Sequence, residues 1–366
     1  MRLEILPVLG IGDVSEGDDL AALIGNAAPW LRDGDVLVVT SKIISKAEGR
    51  LVDVPADGPE RLAARDEVLA GETVRVVASR GATRIVQTHH GFVMAAAGID
   101  ASNVAKTQLV LLPRDPDASA RTLRTELRDR YDVEVAVIVS DTMGRPWRNG
   151  LTDVALGVAG MSALRDHRGE VDPYGNELSL TQMAVVDELA GAAELVKGKC
   201  DQVPVAVVRG YLPAADGDDG PGAATLVRDA SLDLFSLGTA EATAAGMRAA
   251  AVLPDRPTVP ADPEQAADPA AVRRAIAAVA EVVAPGTTFT LVDDEVRATL
   301  AATMPQWPTG ATRLVLASPA DPTSPAALVR FGADVQRLRT ALAAESVASV
   351  PLPPPADGTA VAALAV

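Results

Sequence analysis

Cysteine is almost missing from this 366-residue chain. The one present, Cys200, excludes an intramolecular disulfide framework and any cysteine-based zinc site. Histidine is nearly as rare, and His89, His90 and His167 are too scattered for a histidine metal centre. Aromatic residues make up 3% of the chain against 48% hydrophobic residues, so the core must be built from Ala, Val and Leu. No apolar run reaches the roughly 18–20 residues that cross a bilayer. The opening MRLEILPVLGIGD is too short and too quickly acidic for a signal peptide, which predicts a soluble, cytoplasmic protein. Phosphate loops of the GxxxxGK[ST] and GxGxxG types are also missing, so a nucleotide that binds here does so in another way.

Positive charge is scarce too. The net charge of −16 argues against nucleic acid or an anionic membrane as partner, while leaving room for a local cationic pocket. Lysine is the scarcer cation, at five of the 33 basic residues. Four of the five fall in two short motifs: Lys42 and Lys46 in TSKIISK, Lys197 and Lys199 in VKGK. A chain that otherwise uses arginine keeps lysine where a compact ammonium is needed, with chance clustering as the plain alternative.

What is present reads as a mixed α/β domain over residues 1–250. Apolar runs predict strands over 3–8, 36–40, 73–78, 109–112, 133–139 and 203–208. Helices are expected over 20–28, 59–70, 118–131 and 183–193. Residues 211–222 read as an acidic, flexible loop. Residues 251–269 read as a linker; PDRPTVPADPEQAADP holds five prolines in 16 residues. A small α/β segment, 270–366, follows. It is expected to run helix 270–283, strand 288–292, helix 294–304, strand 313–317, helix 324–344, and shows no dense polar motif.

The densest chemistry lies in VAVIVSDTMGRPWRNG, residues 135–150. A buried strand ends in Ser140, Asp141 and Thr142, and the chain then turns at Gly144. A carboxylate and a hydroxyl at a strand end suit a hard divalent cation. Arg145 and Arg148 suit a phosphate or carboxylate. The plain alternative is a capped turn with two surface arginines. Three further stretches point the same way. Ser41, Lys42 and Lys46 follow a strand, with the lysines one helical turn apart. Asp100 and Asn103 follow a small-residue run, although such pairs are common at turns. DELAGAAELVKGK sets Glu194 and Lys197 before Gly198 and Lys199, which reads as a clamp for phosphates or as a helix C-cap.

Together these blocks resemble the coenzyme F420-0:L-glutamate ligase family. The resemblance rests on ILPVLGIGDVSEGDDL, LRDGDVLVVTSKIISKAEGRLV, AAAGIDASNV, LLPRDPDASA, VSDTMGRPWRNGLTDVALGVAG, DPYGNEL, DELAGAAELVKGK and PVAVVRG, in collinear order over about residues 1–247. It implies an α/β fold that forms an intertwined homodimer. It also implies GTP-dependent joining of L-glutamate to F420-0 by an amide bond through an acyl phosphate, releasing GDP and phosphate, with γ-linked extension in some members. Magnesium or manganese at two positions is implied, and potassium as a further cation. By motif matching, Asp100 and Asp141 hold the first metal and Thr142 the second. Ile11, Gly12, Asp13, Val14, Ser41, Lys46 and Asn103 contact GTP. The 194–199 segment, with Glu194 as a metal ligand and Lys197, Gly198 and Lys199 on the nucleotide, closes over it. Asp141 is assigned to catalysis, and so, from the chemistry of the guanidinium group rather than from the resemblance, are Arg145 and Arg148, on the acceptor's phosphodiester or carboxylate. Two-domain members carry a flavin-binding, nitroreductase-like second module. Here only a shortened segment follows the linker, without an Arg-Arg-aromatic flavin motif, so a degenerate module without FMN is expected. Two alternatives stay open: an amide ligase with another acidic acceptor, and a non-catalytic F420- or GTP-binding protein.

Overall fold

The computed structural model describes residues 2–199, 201–212, 218–253, 267–303, 307–308, 311–356 and 358–366. They divide into two units, Met1–Glu241 and Ala242–Val366. Most of the proline-rich stretch and the middle of the acidic loop lie outside the described residues, as does Cys200.

The first unit runs β1 (Glu4–Val8), α1 (Leu20–Ala27), β2 (Val36–Thr40), α2 (Ser41–Ala47), β3 (Leu51–Asp53), α3 (Gly58–Gly71), β4 (Thr73–Arg80), β5 (Thr83–Thr88), β6 (Val93–Ala95) and β7 (Gln108–Val110). It continues through α4 (Pro116–Tyr131), β8 (Ala136–Arg145), β9 (Arg148–Ala159), β10 (Arg165–Asp166), β11 (Gln182–Met183), α5 (Val185–Lys197) and β12 (Val205–Arg209). Five strands form the central sheet in the order β1-β12-β2-β8-β9. Its heart is the parallel pair β2–β8, in register from Val36↔Ala136 to Thr40↔Ser140. Both strands are covered on both faces, which is why they read as unbroken apolar runs. Leu37, Val39, Val137 and Val139 pack with α1 and α4, while Val36, Val38, Ala136 and Ile138 pack with α5. Helix α4 starts at Asp115, whose carboxylate accepts from the Ala118 N–H, and stops at Asp132, left-handed at φ 52°.

The structure lengthens the central motif. The strand expected to end near Val139 continues to Arg145, and the turn falls at residues 146–147 rather than at Gly144. The partner strand β9 was not expected. Its pairing with β8 is broken by a bulge, since Val139 faces Gly157 while Ser140 faces Ala155. Strand β4 belongs to a separate three-stranded sheet with β5 and β6, and β7 pairs with β3 and, at Val110, bridges Asp100. Met183 lies in β11, so α5 starts two residues later than expected and runs on to Lys197.

The second unit, which begins within α6 (Thr239–Ala251), contains α7 (Pro269–Val279), β13 (Thr288–Leu291), α8 (Asp294–Thr303), β14 (Leu314–Ser318), α9 (Pro325–Ala344), β15 (Val350–Leu352) and β16 (Ala362–Ala365). Its four strands form an antiparallel sheet in the order β13-β14-β16-β15. Helices α7 and α9 supply Val272, Ala275, Leu338 and Leu342 to a core with Val315 and Leu364. Buried Asp334 on α9 accepts from the Ala284 N–H at 2.9 Å and from the Arg337 guanidinium at 2.6 Å.

Candidate active site

The parallel pairing of β2 and β8 stops at Ser140, where β2 gives way to α2. Beyond that point β8 is paired only with β9, so Asp141 and Thr142 project past the end of the parallel pair. Successive strand residues face opposite ways. Ser140 and Thr142 therefore lie on the α5 face and Asp141 on the other.

On the α5 face, Asp153 is the hub. It is 3% exposed, and its carboxylate accepts from Ser140 Oγ at 3.0 Å and Thr142 Oγ1 at 2.8 Å. Lys197, 1% exposed, donates to Asp153 Oδ2 at 2.8 Å and to Ser140 Oγ at 2.9 Å. Burial works to raise the Asp153 carboxyl, but the Lys197 charge and these hydrogen bonds hold it below the usual carboxylate value. Glu194 lies 3.3 Å from Lys197 and also pairs with Lys199. Lys199 in turn donates to Thr142 Oγ1 at 2.6 Å. Gly198, at φ 62°, lets the chain leave α5 between the two lysines; a Cβ there would meet Asp201 Oδ2 at 2.5 Å.

On the other face, Asp100 is held from two sides. Ala96 and Ala97, left-handed at φ 51° and 54°, and Gly98 at φ 71° turn the chain just before it. Its backbone exchanges hydrogen bonds with Val110, at 3.0 and 2.8 Å. Its carboxylate accepts from Lys42 Nζ at 2.6 Å and from Ser102 N at 2.7 Å. Burial works to raise this carboxyl, yet the Lys42 and Ser102 contacts hold it low. Among the described residues Asp141 has no cation bonded to it in this way. It accepts the Thr142 N–H at 2.7 Å, and burial, with the Asp153 and Asp100 charges, pushes it up to about 6.

The structure thus brings Asp100, Asp141, Thr142, Glu194, Lys197, Gly198 and Lys199 together. Lys197, read from sequence as a nucleotide contact, has its ammonium buried against Asp153. Arg145 and Arg148 lie at the β8–β9 turn, exposed, with no contact to this cluster among the described residues; Arg145 donates to Asn149 O at 3.3 Å. Ile11 and Val14 are anchored in the core and leave Gly12, at φ 72°, and Asp13 exposed between them. Ser41 is buried at the start of α2, and Lys46 is half-buried without an ion pair among the described residues. Asn103 is exposed and left-handed at φ 56°. Asp153 escaped the sequence reading. Its signal was an acidic residue inside an apolar strand, LTDVALGVA, where Asp is disfavoured unless something holds it.

Among the described residues no group of three or more His, Cys, Asp or Glu side chains forms a ready metal cage. The donors on hand are carboxylates and a hydroxyl, which are hard oxygen ligands suited to magnesium or manganese. The half-buried Asp141 carboxyl, short of positive charge, fits such an ion. Among the described residues no helix is long and apolar enough to cross a membrane.

Residues 9–210 match the family model for F420-0:gamma-glutamyl ligase. Coenzyme F420:L-glutamate ligase of Methanothermobacter thermautotrophicus is 41% identical over 251 residues, covering 64% of this chain and 99% of that protein. The protein of the same name from Methanopyrus kandleri is 41% identical over 246 residues, covering 64% and 97%. That from Haloarcula marismortui is 42% identical over 249 residues, covering 63% and 95%. About a third of this chain therefore has no counterpart in these relatives. The matched span contains every site residue described above, and the chain is an enzyme of the F420-0:gamma-glutamyl ligase family.

Proposed function

We propose that the chain joins L-glutamate to coenzyme F420-0 in F420 biosynthesis, using GTP, and extends the tail by γ-linked glutamates. The acceptor's terminal carboxylate oxygen attacks the γ-phosphorus of GTP, and the bond to the β–γ bridging oxygen breaks. GDP leaves and an acyl phosphate forms. The glutamate amine then attacks the acyl carbon, sheds a proton and expels phosphate. The first step joins two anions, so the site must supply positive charge. The observation that carries this reading is Asp141, a half-buried carboxyl between Lys42–Asp100 on one face and Thr142–Asp153–Lys197 on the other.

In this reading Asp100 and Asp141 hold one divalent cation, and Thr142 with Glu194 the other, with potassium as a further cation. A bound Mg²⁺ or Mn²⁺ would offset the phosphate charge and steady the leaving group. Lys199, exposed and already on Thr142, is placed to meet an incoming phosphate, and Lys197 acts through Asp153. Ile11–Val14, Ser41, Lys46, Asn103 and Gly198 are assigned to GTP. Arg145 and Arg148 grip the acceptor. Trp147 and Leu151, 81% and 68% exposed on the same hairpin, favour pairing of two copies there, as an intertwined homodimer requires. The second unit is assigned a structural role as a shortened nitroreductase-like module without FMN.

Mass spectrometry of F420-0 incubated with the protein, GTP, L-glutamate and Mn²⁺ tests the proposal. A product heavier by one glutamyl residue, or a ladder of them, is expected. No new mass from folded, metal-supplied protein would overturn it.

A further inference from the structure

Beside Asp100 lies a cavity of about 460 Å³, lined by Asp100 and Ser102, by the apolar Ile99 and Leu109, and by Arg61 and Arg65 of α3. Small-molecule sites commonly span roughly 300–1,000 Å³. The two arginines are four residues apart and so share a helix face. Their surroundings differ. Arg61 donates Nη1 to Pro55 O at 2.8 Å and to Lys106 O at 2.5 Å, tying α3 to the segments beside β3 and β7. Its hydrogen-bonding is directed into the protein. Arg65 is exposed and has no hydrogen bond or ion pair among the described residues. Asp100 is already held by Lys42 and Ser102. The cavity therefore carries a compensated carboxylate in one wall and an uncompensated guanidinium in another.

We propose that Arg65 receives an oxyanion of a substrate seated in this cavity and so determines specificity in the ligase reaction. The inference rests on the function proposed above. A guanidinium offers two parallel N–H donors that match a carboxylate or a phosphodiester. The Asp100 carboxylate is already matched by Lys42, so the unmatched charge in the cavity wall is that of Arg65, and an anionic group is drawn to it. Two substrates carry that chemistry besides GTP: the incoming amino acid, through a carboxylate, and the acceptor, through its phosphodiester. Arg65 also differs from Arg61 in having no hydrogen bond or ion pair to another described residue that its removal would break.

Steady-state kinetics of the full-length Arg65→Ala and Arg65→Lys variants test this, each substrate being varied in turn. Alanine is a strong helix former, so α3 is expected to persist, and unchanged circular dichroism and melting temperature verify it. KM for L-glutamate, or alternatively for F420-0, should rise about tenfold or more in Arg65→Ala, with kcat changed less than about threefold. Arg65→Lys should fall between, because it keeps the charge and loses the paired donors. Which KM rises identifies the substrate bound. All KM values unchanged, a rise confined to GTP, or an equal loss in kcat for every substrate would overturn the Arg65 assignment while leaving the ligase reading intact. A wild-type protein that makes no glutamyl product would instead remove the ligase reading, and this inference with it.

Discussion

Lys197 Nζ sits 2.8 Å from Asp153 Oδ2, and both side chains are almost completely buried. A pair of this kind is costly to break from one side, because the remaining charge loses its nearest counter-ion in a site almost closed to water. Lys197→Met should destabilise the first unit by about 3–5 kcal/mol. Asp153→Asn in the same background should restore part of the loss. Denaturant unfolding of the four proteins of this cycle gives the coupling directly. Additive effects would mean that the pair does not act as a unit.

Asp141→Ala should abolish turnover, since no other described carboxylate reaches between the two clusters. Arg228→Ala, on an exposed position outside them, should leave turnover within about twofold of wild type. Glutamyl-product formation followed by mass spectrometry reads both. Near-normal activity in Asp141→Ala would remove the metal assignment.

Gly157 sits where β9 meets the start of α4. A Cβ there would lie 2.2 Å from the Pro116 carbonyl carbon and oxygen, which are backbone atoms that cannot rotate away. Gly157→Ala should cost about 1–3 kcal/mol or more by overpacking. A lowered unfolding midpoint with an unchanged denaturant slope is the expected signature.

Acid should loosen the second unit through Asp334. Burial works to raise its carboxyl, but the Ala284 N–H and the Arg337 and Arg330 guanidinium groups outweigh this and hold it below 3.8. A depressed carboxyl stabilises the fold fully above its unfolded value, near pH 4, and the contribution fades as pH falls through the folded value. The protection of β14 amides against hydrogen exchange, relative to their intrinsic rates, should therefore fall below about pH 4 in the full-length wild type. Asp334→Asn should exchange faster already at neutral pH and lose that acid-dependent step.

Titration with FMN should yield colourless protein after desalting. Bound, coloured protein would overturn the structural role given to the second unit.

The parallel strands, the main helices and the ligase resemblance were legible because Val-rich runs and capped amphipathic segments announce themselves over many residues. Strand β9 was not. Its first half is polar and exposed, and the bulge then breaks the two-residue rhythm, so that Ala155 and Val158, three apart, face the same core. Asp153 was lost with it, since its value depends on Thr142 across the hairpin and on Lys197, 44 residues further along. The roles of Lys42 and Lys199 were legible only in part: spacing suggested cations near phosphates, but their present partners, Asp100 and Thr142, come from distant segments. Strands β15 and β16 went unread because PLPPPADG between apolar ends looks like a tail.

Asp141 and Thr142 are neighbours in the chain yet serve opposite sides of one strand. Interchanging them, as Asp141→Thr with Thr142→Asp, would keep composition, net charge and molecular mass the same. It would nonetheless set a second carboxylate against Asp153 and leave only a hydroxyl on the side where Lys42 and Asp100 stand. The pleat turns word order into left and right, so this transposition, which a count of residues would not register, should silence the enzyme as completely as a deletion.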